Sequence, residues 1–159
     1  MSPTPHAETT RATFSEDTHV RCTIDAPPDR VWEVLVDATR YPSWTSTVLD
    51  LEGPITLGAR LALRSSLDPK RTFRPKVTTL EPCRLMVWSD GFSPMFSGVR
   101  SFALTPRDGG RTEIVMTEVL SGAMLPLIRR TLPDFRPSFE AFVRDLKHAV
   151  EAARLEGGA

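Results

Sequence analysis

Three charged side chains stand at the ends of apolar alternating runs, and their chemistry is complementary. In LMVWSD, Met86, Trp88 and Asp90 share one strand face. In RSFALTP, Arg100 shares a face with Phe102 and Leu104, and in RTEIVMTE, Ile114 and Met116 share a face with Glu118. An arginine oriented by acids can meet an oxygen of a largely apolar ligand, and a carboxylate desolvated beside it can act as an acid or a base. Asp90, Arg100 and Glu118 are thus candidate polar anchors and, equally, candidate catalytic groups. If residues near Phe102 oppose both Trp88 and Met116, Arg100 falls between the two carboxylates. The alternative is a solvated rim, because one bulge exchanges the two faces of a strand.

Other chemistry lacks its groups. His6 lies in the N-terminal segment, His19 at a strand start and His148 among charged helix positions, so neither a catalytic triad nor a metal site is expected. No phosphate-binding glycine loop or dinucleotide fingerprint occurs, and no cofactor is expected. Cys22 and Cys83, the two cysteines, read as free thiols in a reducing compartment. Basic and acidic residues number 20 each, so no global field recruits nucleic acid or an anionic membrane and any partner must be recognised locally. The first residues lack the pattern of a secretion signal, and no apolar run approaches the roughly 20 residues of a membrane helix. The expectation is a cytoplasmic protein without a transmembrane segment, its oligomeric state left open.

The elements that must position these groups are legible from punctuation and period. The chain is 159 residues long and 40% apolar, enough for one domain with a core. Residues 1–14 read as a disordered tail and 15–156 as the domain. A strand carrying Val20, Cys22 and Ile24 on one face ends at Pro27-Pro28, where proline suits a first helical turn and Asp29 suits the helix dipole. Val31, Trp32, Val34 and Leu35 supply that helix's buried side, and Asp37 to Trp44 forms a second short turn. Six further strands follow, separated by Gly53-Pro54, Asp68-Pro69, Glu81-Pro82, Asp90-Gly91 and the hairpin signal Asp108-Gly109-Gly110. A last helix over 134–154 places Phe135, Phe139, Phe142, Leu146, Ala149 and Ala153 on one side, ended by Gly157-Gly158. Before it, AMLPLI is either an apolar lid or a packed loop.

The stretches IDAPPDRVWEVLVDATRYPSW, LGARL, RPKVTTLEPCRLMVW, SGVRSFALTP and TEVLSG, followed by the long helix, resemble the START-like, Bet v 1-like (SRPBCC) superfamily. Within it they resemble the polyketide cyclase/dehydrase and lipid transport family, over residues 18 to 153. The resemblance implies an α+β helix-grip fold: a curved seven-stranded antiparallel sheet around the C-terminal helix, with two short helices between strands 1 and 2. Tyr41 and Trp44 would close one end of the cavity. Where Met116 stands, the family often carries a polar aromatic residue or histidine.

The leading functional expectation is binding of a small hydrophobic or aromatic molecule, lipid- or polyketide-like, between sheet and helix. Its lining would come from Trp44, Trp88, Phe102, Met116, Phe135, Phe139 and Phe142, with Asp90, Arg100 and Glu118 as anchors. The helix phenylalanines serve equally well as solid core. One rival is a cyclase or dehydratase with Glu118 or Asp90 moving the proton and Arg100 stabilising an enolate. Another is an interaction module whose cavity is filled.

Overall fold

The computed structural model describes residues 3–157. Its elements are β1 (Ala7–Arg11), β2 (Ser15–Ile24), α1 (Pro28–Leu35), a 3-10 turn (Ala38–Arg40), α2 (Tyr41–Trp44), β3 (Val48–Glu52), β4 (Ala62–Ser65), β5 (Lys76–Glu81), β6 (Leu85–Phe92), β7 (Phe96–Arg107), β8 (Arg111–Ser121), α3 (Leu125–Ile128), a second 3-10 turn (Arg129–Thr131) and α4 (Arg136–Gly157). The expected helix end at Gly157-Gly158 reaches beyond the described residues.

The strands lie antiparallel in the order β1-β2-β8-β7-β6-β5, with β3 and β4 as a separate pair. All seven expected strands are present, but two expectations are corrected. The single seven-stranded sheet is divided: β3 and β4 form their own pair, and β4 and its flanks meet the β5 side through the bridges Arg60↔Lys76 and Leu63↔Phe73 and the Gly58 N–H donating to the Val77 carbonyl. Residues 1–14 are not a tail throughout: Ala7–Arg11 pairs along β2 from Ala7↔Val20 to Arg11↔Glu16. This strand lacks apolar alternation and is held instead through its backbone ladder, the buried Ala7, and the Ala7 N–H donating to Glu140 of α4 at 2.9 Å.

The core follows from two periodicities meeting. Helix α4 buries Phe139, Phe142, Val143, Leu146 and Val150, positions three or four apart, while the strands bury alternate residues such as Val20, Cys22 and Ile24. Antiparallel register lines these residues into rungs: Met86, Phe102, Met116 and Val20 oppose one another across four strands, and Leu104, Ile114 and Cys22 form the next rung. The short helices close one end. Pro28 starts α1 without losing a helical hydrogen bond, and the buried Tyr41 hydroxyl donates to the Leu35 carbonyl at 2.6 Å, tying α2 to the end of α1.

Since Phe142 is 5% exposed and touches the rings of Tyr41, Trp44 and Phe102, Phe142→Ala is expected to lower stability by about 3–5 kcal/mol. Leu127→Ala, at a side chain 75% exposed, should change it by no more than about 0.5 kcal/mol. Urea denaturation midpoints separate the two outcomes.

Candidate functional site

Strands β6, β7 and β8 bring the sequence candidates together by register. Trp88 opposes Arg100, and Arg100 opposes Glu118, with Val77 and Thr18 continuing the rung on either side. The Arg100 Nε–H donates to Glu118 Oε2 at 2.7 Å, and the two side chains are only 23% and 14% exposed. The guanidinium also lies over the Phe139 ring, 5.2 Å from its centroid, so α4 meets the ion pair with an aromatic face. This pair is directed into the grip of the helix and is not a rim.

The expected third member is displaced. Phe102 opposes Met86 rather than Trp88, which moves Asp90 one rung on, opposite Gly98. Its carboxylate accepts from the neighbouring Gly91 N–H at 2.9 Å. Arg100 therefore sits between an indole and a carboxylate, not between two carboxylates. Gly98, two residues before Arg100 on the same strand face, went unnoticed in the sequence reading. A Cβ there would meet Glu118 Oε1 and a Leu120 methyl, both at 3.2 Å, so the missing side chain leaves room for the carboxylate to reach Arg100.

The apolar candidates divide between a packed cluster and the walls of a small cavity. Trp88 and Phe102 meet edge to face at 5.0 Å, Trp44 and Phe142 at 5.2 Å, and Tyr41 touches Trp44 at 4.9 Å. Phe135 precedes α4 and leans on Phe139 at 6.1 Å. Beside the cluster is a cavity of about 20 Å³, bounded by Thr47, Val48, Leu63, Ser65 and Leu67 on one side, Ser138, Phe139 and Phe142 on another, and Arg100 and Met116 at its floor. That is space for about one water molecule. A wider groove of about 570 Å³ lies outside, where Pro27, Val34 and Trp44 face Ala149, Val150 and Ala153; of the sequence candidates it contains Trp44 alone.

Polar groups inside this region are unevenly satisfied. Thr45 and Thr47 share a hydroxyl contact, and Thr45 donates to Asp145 of α4 at 2.9 Å. By contrast, the indole N–H groups of Trp44 and Trp88 are buried with no acceptor among the described residues. Burial drives the Tyr41 phenol far above its ordinary range, against the opposing pull of the Arg100 cation, so Tyr41 stays a neutral donor at any physiological pH. Burial likewise raises the Cys22 thiol, partly offset by Lys147, which makes it a packing group. Both cysteines are free, and among the described residues no three His, Cys, Asp or Glu side chains cluster as metal ligands.

A curved antiparallel sheet closed on a long C-terminal helix, with two short helices after the first main strand, is the helix-grip fold of START-like and Bet v 1-like proteins. The chain belongs to the family described as polyketide cyclase / dehydrase and lipid transport, whose profile matches residues 12–151. No curated protein matches the sequence. Among solved structures, it is similar to the Zhui aromatase/cyclase of a Streptomyces species, at 18% identity and a TM-score of 0.68 over 86% of this chain and 94% of that one. A START superfamily protein of Mycobacterium smegmatis superposes with a TM-score of 0.64 at 13% identity, covering 86% and 98% of the two chains. A norcoclaurine synthase point mutant of Thalictrum flavum, solved with a transition-state analogue, gives 0.68 at 13% identity over 91% and 99%. Among the described residues no helix is long and apolar enough to cross a membrane.

The rung geometry predicts which charges are coupled. In double-mutant cycles of stability, Arg100→Met with Glu118→Gln should show a coupling of about 1–3 kcal/mol, as for a partly buried charged hydrogen bond. Arg100→Met with Asp90→Asn should be additive to within roughly 0.5 kcal/mol.

Proposed function

We propose that this protein binds a small, mostly aromatic or hydrocarbon molecule bearing one anionic or strongly hydrogen-bond-accepting group. The ligand enters the seam between the β3–β4 pair and the first turns of α4. The observation that carries this reading is the half-buried Arg100, aligned by Glu118 and Phe139 where it lines a small cavity between sheet and helix. An arginine so oriented retains further N–H donors toward the cavity, and a planar fork suits carboxylate or phenolate oxygens.

The cavity holds about one water, so binding requires the seam to widen. The wall that moves is the β3–β4 pair, since it lies outside the continuous ladder of the large sheet, is joined to the β5 side by short bridges and the Gly58–Val77 bond, and offers Leu63, Ser65 and Leu67 to the seam. The opposite wall belongs to α4, clamped through Lys147 and Glu151 to the end of β2 and the turn that follows it. A catalytic role for Glu118 is less well supported, because that carboxylate is already engaged by Arg100 and would have to release it to take part in proton transfer. Asp90 lies a rung away from Arg100, bonded to its own turn.

The test compares a matched pair, 2-naphthoate and 2-methylnaphthalene, followed by tryptophan fluorescence. Both are expected to bind, and Arg100→Met should weaken the carboxylate by roughly tenfold or more, the worth of a charged hydrogen bond, while changing the hydrocarbon by less than about threefold. Loss of both ligands in equal measure removes the polar-anchor role. If neither binds the unaltered protein up to its solubility limit, the reading fails and a filled-cavity interaction module takes its place.

A further inference from the structure

Four large apolar side chains that the core does not use gather at one end of the molecule. Phe14 is 59% exposed in the β1–β2 turn, Phe92 84% and Met95 49% at the tip of the β6–β7 hairpin, and Leu127 75% on α3. Their backbones are fastened together. The Gly122 N–H donates to the Phe14 carbonyl at 3.0 Å, Ala123 to Pro94 at 3.0 Å, Met124 to Met95 at 2.9 Å, and Leu127 to Met124 at 3.1 Å. Gly122 has a φ of +132°, and a Cβ there would overlap the Met95 carbonyl, so the segment is built for this close approach. The exposure is thus a property of an ordered surface.

Cations stand beside these side chains. Arg129 and Arg130 follow Leu127 within three residues. Arg129 is held inward, donating to the Ala12 and Ser15 carbonyls of the β1–β2 turn and lying 3.8 Å from Glu16. Glu16 also holds Arg11 at 2.7 Å, so one buried carboxylate serves two guanidinium groups, while Arg130 projects into solvent.

We infer that this end of the molecule docks on a lipid bilayer carrying anionic headgroups, with Phe14, Phe92, Met95 and Leu127 entering the interface and the exposed Arg130 meeting lipid phosphates. The shape distinguishes a bilayer from a folded protein partner. The apolar groups stand on separate turns with Ser93, Arg129 and Arg130 among them, a set of protrusions rather than a flat or concave patch. Protrusions insert singly between headgroups, whereas a protein interface requires a continuous complementary surface. Arginine beside leucine suits the boundary, since its stem tolerates apolar surroundings while its charge reaches the headgroups. The chain's balanced net charge makes this a local attraction. Docking of this kind stands whether or not the interior takes a ligand.

The experiment is flotation of the full chain with phosphatidylcholine vesicles, with and without about one third phosphatidylserine. The unaltered protein should float with the anionic vesicles and far less with the neutral ones. Phe92→Ser combined with Leu127→Ser should reduce that partition by roughly tenfold or more, as expected for two apolar side chains withheld from the interface. Arg130→Glu should reduce it on anionic vesicles only. Circular dichroism and thermal melting of the double variant should match the parent, since both side chains already face solvent. Independently of any variant, hydrogen exchange of residues 92–96 and 124–128 in the parent should slow on anionic vesicles. The inference is overturned if the parent does not float, if the double variant floats equally well, or if the parent self-associates through these residues in sedimentation and vesicles leave their exchange unchanged.

Discussion

The apolar stripe of α4 is the constraint from which the rest of the structure follows. A helix of this length cannot leave Phe139, Phe142, Val143, Leu146 and Val150 in water, and a flat sheet would cover only part of them. Curving β2, β8, β7 and β6 around the stripe aligns their inward residues into rungs, and the composition of each rung is then set by its height along the helix. The two rungs below the ion pair, those of Met86, Phe102, Met116 and Val20 and of Leu104, Ile114 and Cys22, carry no charge. At the height of Phe139 the rung becomes Trp88, Arg100, Glu118 and Thr18, so the ion pair stands where sheet and helix begin to part. Position along one helix thereby decides which side chains pack and which remain available to a second molecule.

The same geometry explains how much could be read beforehand. Proline and glycine signals mark every turn of the meander, and the short helices start where Pro27-Pro28 allows. The inward face of β7 and β8 followed from alternation, because no bulge interrupts either strand between Arg100 and Leu104 or between Ile114 and Glu118. What alternation does not carry is alignment. A shift of two residues preserves every face and changes every neighbour, and so Asp90 landed beside Gly98 while Trp88 took the place beside Arg100. The β1 strand was invisible for another reason: AETTR has no apolar period, and a ladder of main-chain bonds has no side-chain signature. Gly98 carried its information in an absence, which gains meaning only once Glu118 is known to be its neighbour.

The fold is thus shared by proteins that do different things, a cyclase and a synthase among those this chain resembles in shape. The difference between such proteins lies in what the rungs present at the level of the cavity. Here that level presents a cation aligned by its own carboxylate, the Phe139 ring and Met116.

The order of the sheet also sets an order of events for the chain as it emerges during synthesis. Strands β5, β6, β7 and β8 are neighbours both in sequence and in space, so each finds its partner soon after it appears. β2 is made long before them, yet it pairs with β8, where Thr18 lies opposite Glu118, and α4 must then arrive before Ala7 can reach Glu140. Closing loops of that length is entropically costly and slow, and until it happens β2 is a strand with an open side, carrying Val20, Cys22 and Ile24 uncovered. The interval between the synthesis of the first strands and the arrival of α4 is therefore when this protein is most exposed to misassociation, and the docking of that helix ends it.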